Sequence, residues 1–138
     1  MRDEQFEAAI AKILEDEPKL PAEVYRLMPA VLDYTQRKVR QATPGAPLGH
    51  VSARQLSEGF RDYLLAEFGP FAAPLLLRMR MNTTDDIGMV VYNLIRAGVF
   101  GRSAEDKFED FHALYDFNEA FVYPFDPDAE AAGVRVFA

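Results

Sequence analysis

Along nearly the whole chain, apolar residues recur at three- and four-residue spacing between Pro and Gly breaks, which is the spacing of one helix face and not of a strand. Phe6, Ala9, Ile10, Ile13 and Leu14 predict an amphipathic helix over 3–16, with Asp3 and Glu4 at the positive end of its dipole and Glu17-Pro18 ending it. A second helix is expected over about 21–41. Pro21 suits its first turn, and Val24, Met28, Val31 and Val39 form a stripe that Leu27, Leu32 and Tyr34 widen. Pro29 lies inside and predicts a kink or a split near Leu27. Two Pro and two Gly between Ala42 and Gly49 make a loop.

The third start is marked twice. Ser52 with Gln55 three residues on reads as a capping box, and Val51 with Leu56 as a hydrophobic staple. Leu56, Phe60, Tyr63, Leu64 and Phe68 then supply a buried face, until Gly69-Pro70. Residues 71–79 are apolar nearly all round and predict a short central helix. Thr83 with Asp86 starts a further helix, whose stripe is Ile87, Val90, Val91, Leu94 and Ile95 and whose left-handed end is Gly98, followed by Val99. Ser103 with Asp106 is expected to cap a last helix, with Phe108, Phe111 and Tyr115 facing inward. Beyond Asp116 we expect one more helical turn near 117–122 and then an extended strap. Val134 to Phe137 alternates as a strand would, with no strand to pair with.

The expected fold is one all-α domain of about six helices over 1–128, closed by an extended aromatic C-terminal strap, with 129–138 as a tail. A chain of 138 residues is the usual size of one domain and needs no metal or disulfide to fold. The absence of Cys removes thiolate chemistry and every Cys-based zinc site, and two His leave little for other metal chemistry. No apolar run of about 18 residues is present, and the N-terminus is acidic where a signal peptide is basic, so a cytoplasmic protein is expected.

Charge is distributed unevenly. The net charge of −7 opposes non-specific binding to nucleic acid. Residues 103–130 carry nine acids and a single base, Lys107, whereas 34–57 carry Arg37, Lys38, Arg40, Arg54 and His50 and no acid. Two faces of opposite sign in one domain account for this, with basic residues also favoured at a helix C-terminus. The functional alternative is an anion site near Tyr34, Gln36, Arg37, His50 and Arg54, helped by the N-terminus of the helix that follows Ser52. A His50–Ser52 nucleophile is disfavoured because the cap already engages the Ser52 hydroxyl.

Eight of the seventeen aromatic residues fall in 100–125. Most must close the core, and an exposed fraction (Phe111, Tyr115, Asp116, Phe117, Phe121) would make an acidic-aromatic docking surface. Glu109, His112 and Asp116 have the spacing for ligands on one helical face, but a di-iron site needs a second such pair, so no metal and no cofactor is expected. A helix-turn-helix reader in 52–101 would aim Asp85 and Asp86 at phosphates.

Several words occur together: Tyr34-Thr35-Gln36, His50-Val51-Ser52 with Leu56 and Gly59, Phe68-Gly69-Pro70, Thr84-x-Asp86-x-Gly88 with Asn93-Leu94 and Gly98, Tyr115-Asp116-Phe117 with Ala120-Phe121, and Pro124-Phe125. As a set covering about residues 6–125 they resemble an uncharacterised family of small conserved bacterial proteins known mainly from planctomycete and verrucomicrobial genomes. Pro29 and the Ala-rich tail beyond Asp128 depart from it. The resemblance implies a compact stand-alone domain and transfers no catalytic or ligand residue. The expected function is therefore a protein-interaction or regulatory module without catalysis. A binder of a small anionic ligand, or an enzyme acting on one, and an RNA-associated helical protein are the alternatives. Another protein is the expected partner, a membrane is not, and direct binding of nucleic acid is disfavoured by charge.

Overall fold

In the computed structural model, which describes residues 3–45, 51–101 and 107–128, five α-helices pack without a strand among the described residues. They are α1 (Asp3–Asp16), α2 (Ala22–Ala42), α3 (Ala53–Phe68), α4 (Ala72–Arg78) and α5 (Thr84–Arg96). Tight 3-10 turns follow at Phe108–Phe111 and Tyr123–Phe125, and between them Asn118–Val122 forms one wider π turn. The all-α architecture is the one that periodicity predicts.

Helix starts and ends follow the local chemistry. Ser52 Oγ accepts the Gln55 N–H at 3.1 Å, and Gln55 Oε1 accepts the Ser52 N–H at 2.9 Å, so both arms of the capping box form. At α5 the Asp86 carboxylate accepts the N–H groups of Asn82 (2.7 Å) and Thr83 (3.2 Å). Its end is a full Schellman cap: Gly98 sits at φ +78°, Gly98 N–H donates to Ile95, and Val99 N–H donates to Leu94. α4 ends the same way without a glycine. Arg80 takes φ +59°, its N–H donates to Leu77, and Met81 N–H donates to Leu76.

α5 is the hub of the core. Ile87, Val90, Val91 and Leu94 are buried, and α5 packs against α1, α2, α3 and the 108–111 turn. α2 and α3 make the closest helix pair, crossing where Gly59 meets Thr35. Beneath α5, Asn93 Nδ2 donates to the fully buried Tyr25 hydroxyl at 2.9 Å. The C-terminal residues are pinned at two points. Thr84 Oγ1 donates to Phe111 O (2.5 Å) and accepts Leu114 N–H (3.2 Å), while Tyr115 OH donates to Ser57 O at 2.6 Å.

Three local expectations change. α2 is continuous through Pro29, so the helix does not split there, and the proline lies on its exposed side, where the carbonyl left without a donor can reach water. The helical turn expected near 117–122 is present as Asn118–Val122, and the strap after it opens with a further turn at Tyr123–Phe125 in place of the expected extended chain. Finally α4, apolar nearly all round, is not central: only Ala72 and Leu76 of its seven residues are buried. The Ser103–Asp106 cap and the alternating 134–137 run lie outside the described residues.

Candidate functional site

α4 presents the feature that its composition makes most unusual. Phe71, just before it, is 73% exposed and Leu77 is 74% exposed. Phe71, Pro74 and Leu77 follow three-residue spacing and form one outward stripe, since residues i and i+3 share a helix face. A helix that is hydrophobic all round belongs in a core. Here only the Ala72, Leu76 edge reaches it.

A shallow groove of about 230 Å³ runs beside this stripe, between α4 and the Asn118–Val122 turn. Buried Leu76, Met81 and Phe121 contribute to its floor, and Ala73, Leu77 and Val122 to its walls. Its polar end carries Asn82, Asp116 and Asn118. Asp116 is held in place locally, with Oδ1 accepting the N–H groups of Asn118 (2.8 Å) and Glu119 (3.1 Å). On the other side of α4, Phe68, Phe71, Pro74, Leu75 and Arg78 border a second apolar depression. Arg78 is drawn to Glu23 of α2 at 2.6 Å.

The expected aromatic surface is largely interior. Phe111 and Phe121 are 3% and 1% exposed. Phe111 packs on Gly88, and Phe121 meets Phe117 edge-on at 5.3 Å. Tyr115 and Phe117 are partly buried and stack at 5.8 Å, with the Arg61 guanidinium over the Tyr115 ring. Burial pushes the Tyr115 phenol well above its ordinary range. Of the five residues, Asp116 is the one fully at the surface, and it borders the groove.

The expected anion site is not assembled by its described members. Arg37 pairs with Asp33 at 3.0 Å, and Arg54 approaches Glu58 at 4.0 Å, each one helical turn away. Tyr34 packs edge-on against Tyr63, with Lys38 over its ring. The cleft between α2 and α3 is lined by Lys38 but also by Glu58 and Asp62, and by none of Tyr34, Gln36, Arg37 and Arg54. His50 lies outside the described residues.

Glu109, His112 and Asp116 do not converge either. The 108–111 turn is tighter than an α-helix and His112 leaves it in an extended conformation, so the one-face spacing is lost. The His112 ring instead meets the Asp85 carboxylate at 3.0 Å. Among the described residues no group of three His, Cys, Asp or Glu is placed to hold a metal. A recognition-helix role for α5 fails on burial, since eight of its residues, Asp86 included, are inside.

A third cleft of about 230 Å³ lies where α1 and α5 end, lined by Lys12, Asp16, Glu17, Asn93 and Arg96 over Ala9, Ile13 and Ala97. Its charges are mixed. Among the described residues no helix is long and apolar enough to cross a membrane.

The sequence signal for the α4 groove is present but points both ways: six apolar residues in seven suit a buried helix and an exposed docking helix equally. Whether such a helix is covered depends on how many neighbours the rest of the chain provides. Comparisons with protein-family models, curated proteins and solved structures return no match.

Proposed function

We propose that this chain is a protein-interaction module without catalysis, working in the cytoplasm, and that it engages its partner through the outward stripe of α4. The single observation that carries this is the exposure of Phe71 and Leu77, both about three-quarters open on one stripe at a helix whose residues other than Arg78 are all apolar. Leaving such side chains in water forgoes roughly 1.5–3 kcal/mol each that burial would return. Contiguous exposed apolar surface of this kind marks interaction sites in soluble proteins. Pairing of Arg37 and Arg54 with carboxylates on their own helices weighs against the anionic-ligand and RNA alternatives.

Site-specific photo-crosslinking tests it. A crosslinker placed at residue 77 should trap one defined partner in cells of the source organism, and the same group at exposed Lys12 should not. Identical products from both positions would refute the assignment of the surface.

A further inference from the structure

Resting on that assignment, we infer that the groove beside α4 receives a short amphipathic helix from another protein, one that carries Lys or Arg beside its apolar anchors. Size is the first argument. At about 230 Å³ the groove is smaller than the roughly 300–1,000 Å³ pockets that enclose small-molecule ligands. It suits one or two apolar side chains. A seven-residue α4 is about 10 Å long, which matches two turns of a helix laid alongside it with anchors at i and i+3 or i+4.

Charge is the second argument, and it selects among occupants. Residues 107–128 carry six carboxylates (Glu109, Asp110, Asp116, Glu119, Asp126, Asp128) against Lys107. Of these Asp116 lines the groove, and because its Oδ1 already holds two backbone N–H groups, pairing a cation with its second oxygen leaves the turn intact. A second copy of this chain would bring the same acidic segment against it, and like charges at an interface are repelled. A basic flank on the partner helix resolves that repulsion and adds the apolar contact.

The test uses the full chain, isotope-labelled, and two synthetic helical peptides with one Leu pattern. One peptide carries Lys at the flanking positions and the other carries Glu. The Lys peptide should bind and shift the amide signals of Ala73, Leu77, Asn82, Asn118 and Val122. The charge-neutral changes Leu77→Gln and Val122→Thr, at exposed positions, should each weaken it roughly tenfold without altering the thermal melt. Should either variant lose stability, the amide shifts of Ala73, Asn82 and Asn118 in the unaltered chain still report on the groove. Asp116→Asn keeps the turn-capping oxygen and should weaken binding several-fold while flattening its salt dependence.

Equal binding of the Glu peptide at the same amides would overturn the basic partner while leaving the docking surface in place. Binding of the Lys peptide that ignores both Leu77→Gln and Val122→Thr would overturn the groove, leaving diffuse attraction to carboxylates. Failure of both peptides would also overturn it. Concentration-dependent shifts at Leu77 and Val122 without peptide would assign the groove to a second copy. Shifts there on deleting 129–138 would assign it to the chain's own end. The crosslinking result at residue 77 stands apart from all of these, so loss of the partner class and loss of the interaction surface are distinguishable.

Discussion

Gly59 of α3 faces Thr35 of α2 so closely that a Cβ on the glycine would lie 1.9 Å from the threonine hydroxyl oxygen. That hydroxyl is turned back to its own helix, donating to Val31 O at 2.7 Å, and both residues are buried. The close α2–α3 pair therefore depends on one missing methyl group. Gly59→Ala should destabilise the fold by about 1–3 kcal/mol, because a packed interior absorbs an extra carbon only by shifting backbone. Thr35→Ala removes Oγ1, the nearest atom, and Cγ2 while keeping Cβ at 2.8 Å, and should recover part of the loss. A double-mutant cycle read by chemical denaturation checks the coupling, and simple additivity would contradict it.

Thr84 holds the C-terminal turns on α5 through two hydrogen bonds from one hydroxyl. Thr84→Val keeps the shape and leaves the buried Phe111 carbonyl without its donor, at a cost of about 1–3 kcal/mol. Thr84→Ser should restore most of it. Amide exchange of residues 111–121 should rise in the valine variant more than exchange of α2, and a uniform rise would show that the tie is not local.

Ser57 behaves oppositely. Its hydroxyl is buried with no hydrogen-bond partner among the described residues, while its backbone carbonyl accepts from the Tyr115 phenol. Ser57→Ala removes the unsatisfied group and keeps the carbonyl, so the melting temperature should hold or rise, by the equivalent of about 1 kcal/mol. A fall of that size would show that the hydroxyl has an acceptor.

Arg80 occupies a left-handed position that glycine fills without strain, and its side chain is exposed. Arg80→Gly should stabilise α4 by up to about 1 kcal/mol, the strain relieved less the added freedom of the unfolded chain. Gly98→Ala, at φ +78°, should lose about as much. Matched melting curves of the two variants test the pair of opposite signs.

Alkaline pH should unfold the protein through its buried phenols. Burial raises the Tyr25 phenol, against a lowering hydrogen bond from Asn93, and raises Tyr115 further. Above about pH 10 the unfolded chain releases both protons while the folded chain keeps them, so stability falls as pH rises. The slope contributed is up to about 1.4 kcal/mol per pH unit for each phenol. It should shrink in Tyr115→Phe, measured as denaturation midpoint against pH, and an unchanged slope would place the titration elsewhere.

Features legible in the sequence are those set by contacts a few residues apart. Ser52 with Gln55, and Gly98 with Val99, fix α3 and α5 at the ends that their side chains and φ angles dictate. Helix faces were equally plain, since Ile87, Val90 and Leu94 can only point one way. What escaped depends on distant chain. The cover over α4 is decided by where residues 118–122 lie, and the pairing of His112 with Asp85 by a tight turn that no apolar period announces. Arg80 in a glycine conformation carried no composition signal at all.

The two ties at Thr84 and Tyr115 also bear on biosynthesis. Phe111, Ala120 and Phe121 complete a core whose other walls are all in place by Arg96, so a nascent chain emerging in order holds its helical hub bare until residues 111–121 have followed. Through that interval the Gly88 face of α5 is open to whatever the ribosome exit meets first, a chaperone or another nascent chain. A stall placed so that residue 101 has just left the tunnel should leave a protease-sensitive, chaperone-bound product, and one placed so that residue 128 has left it should not.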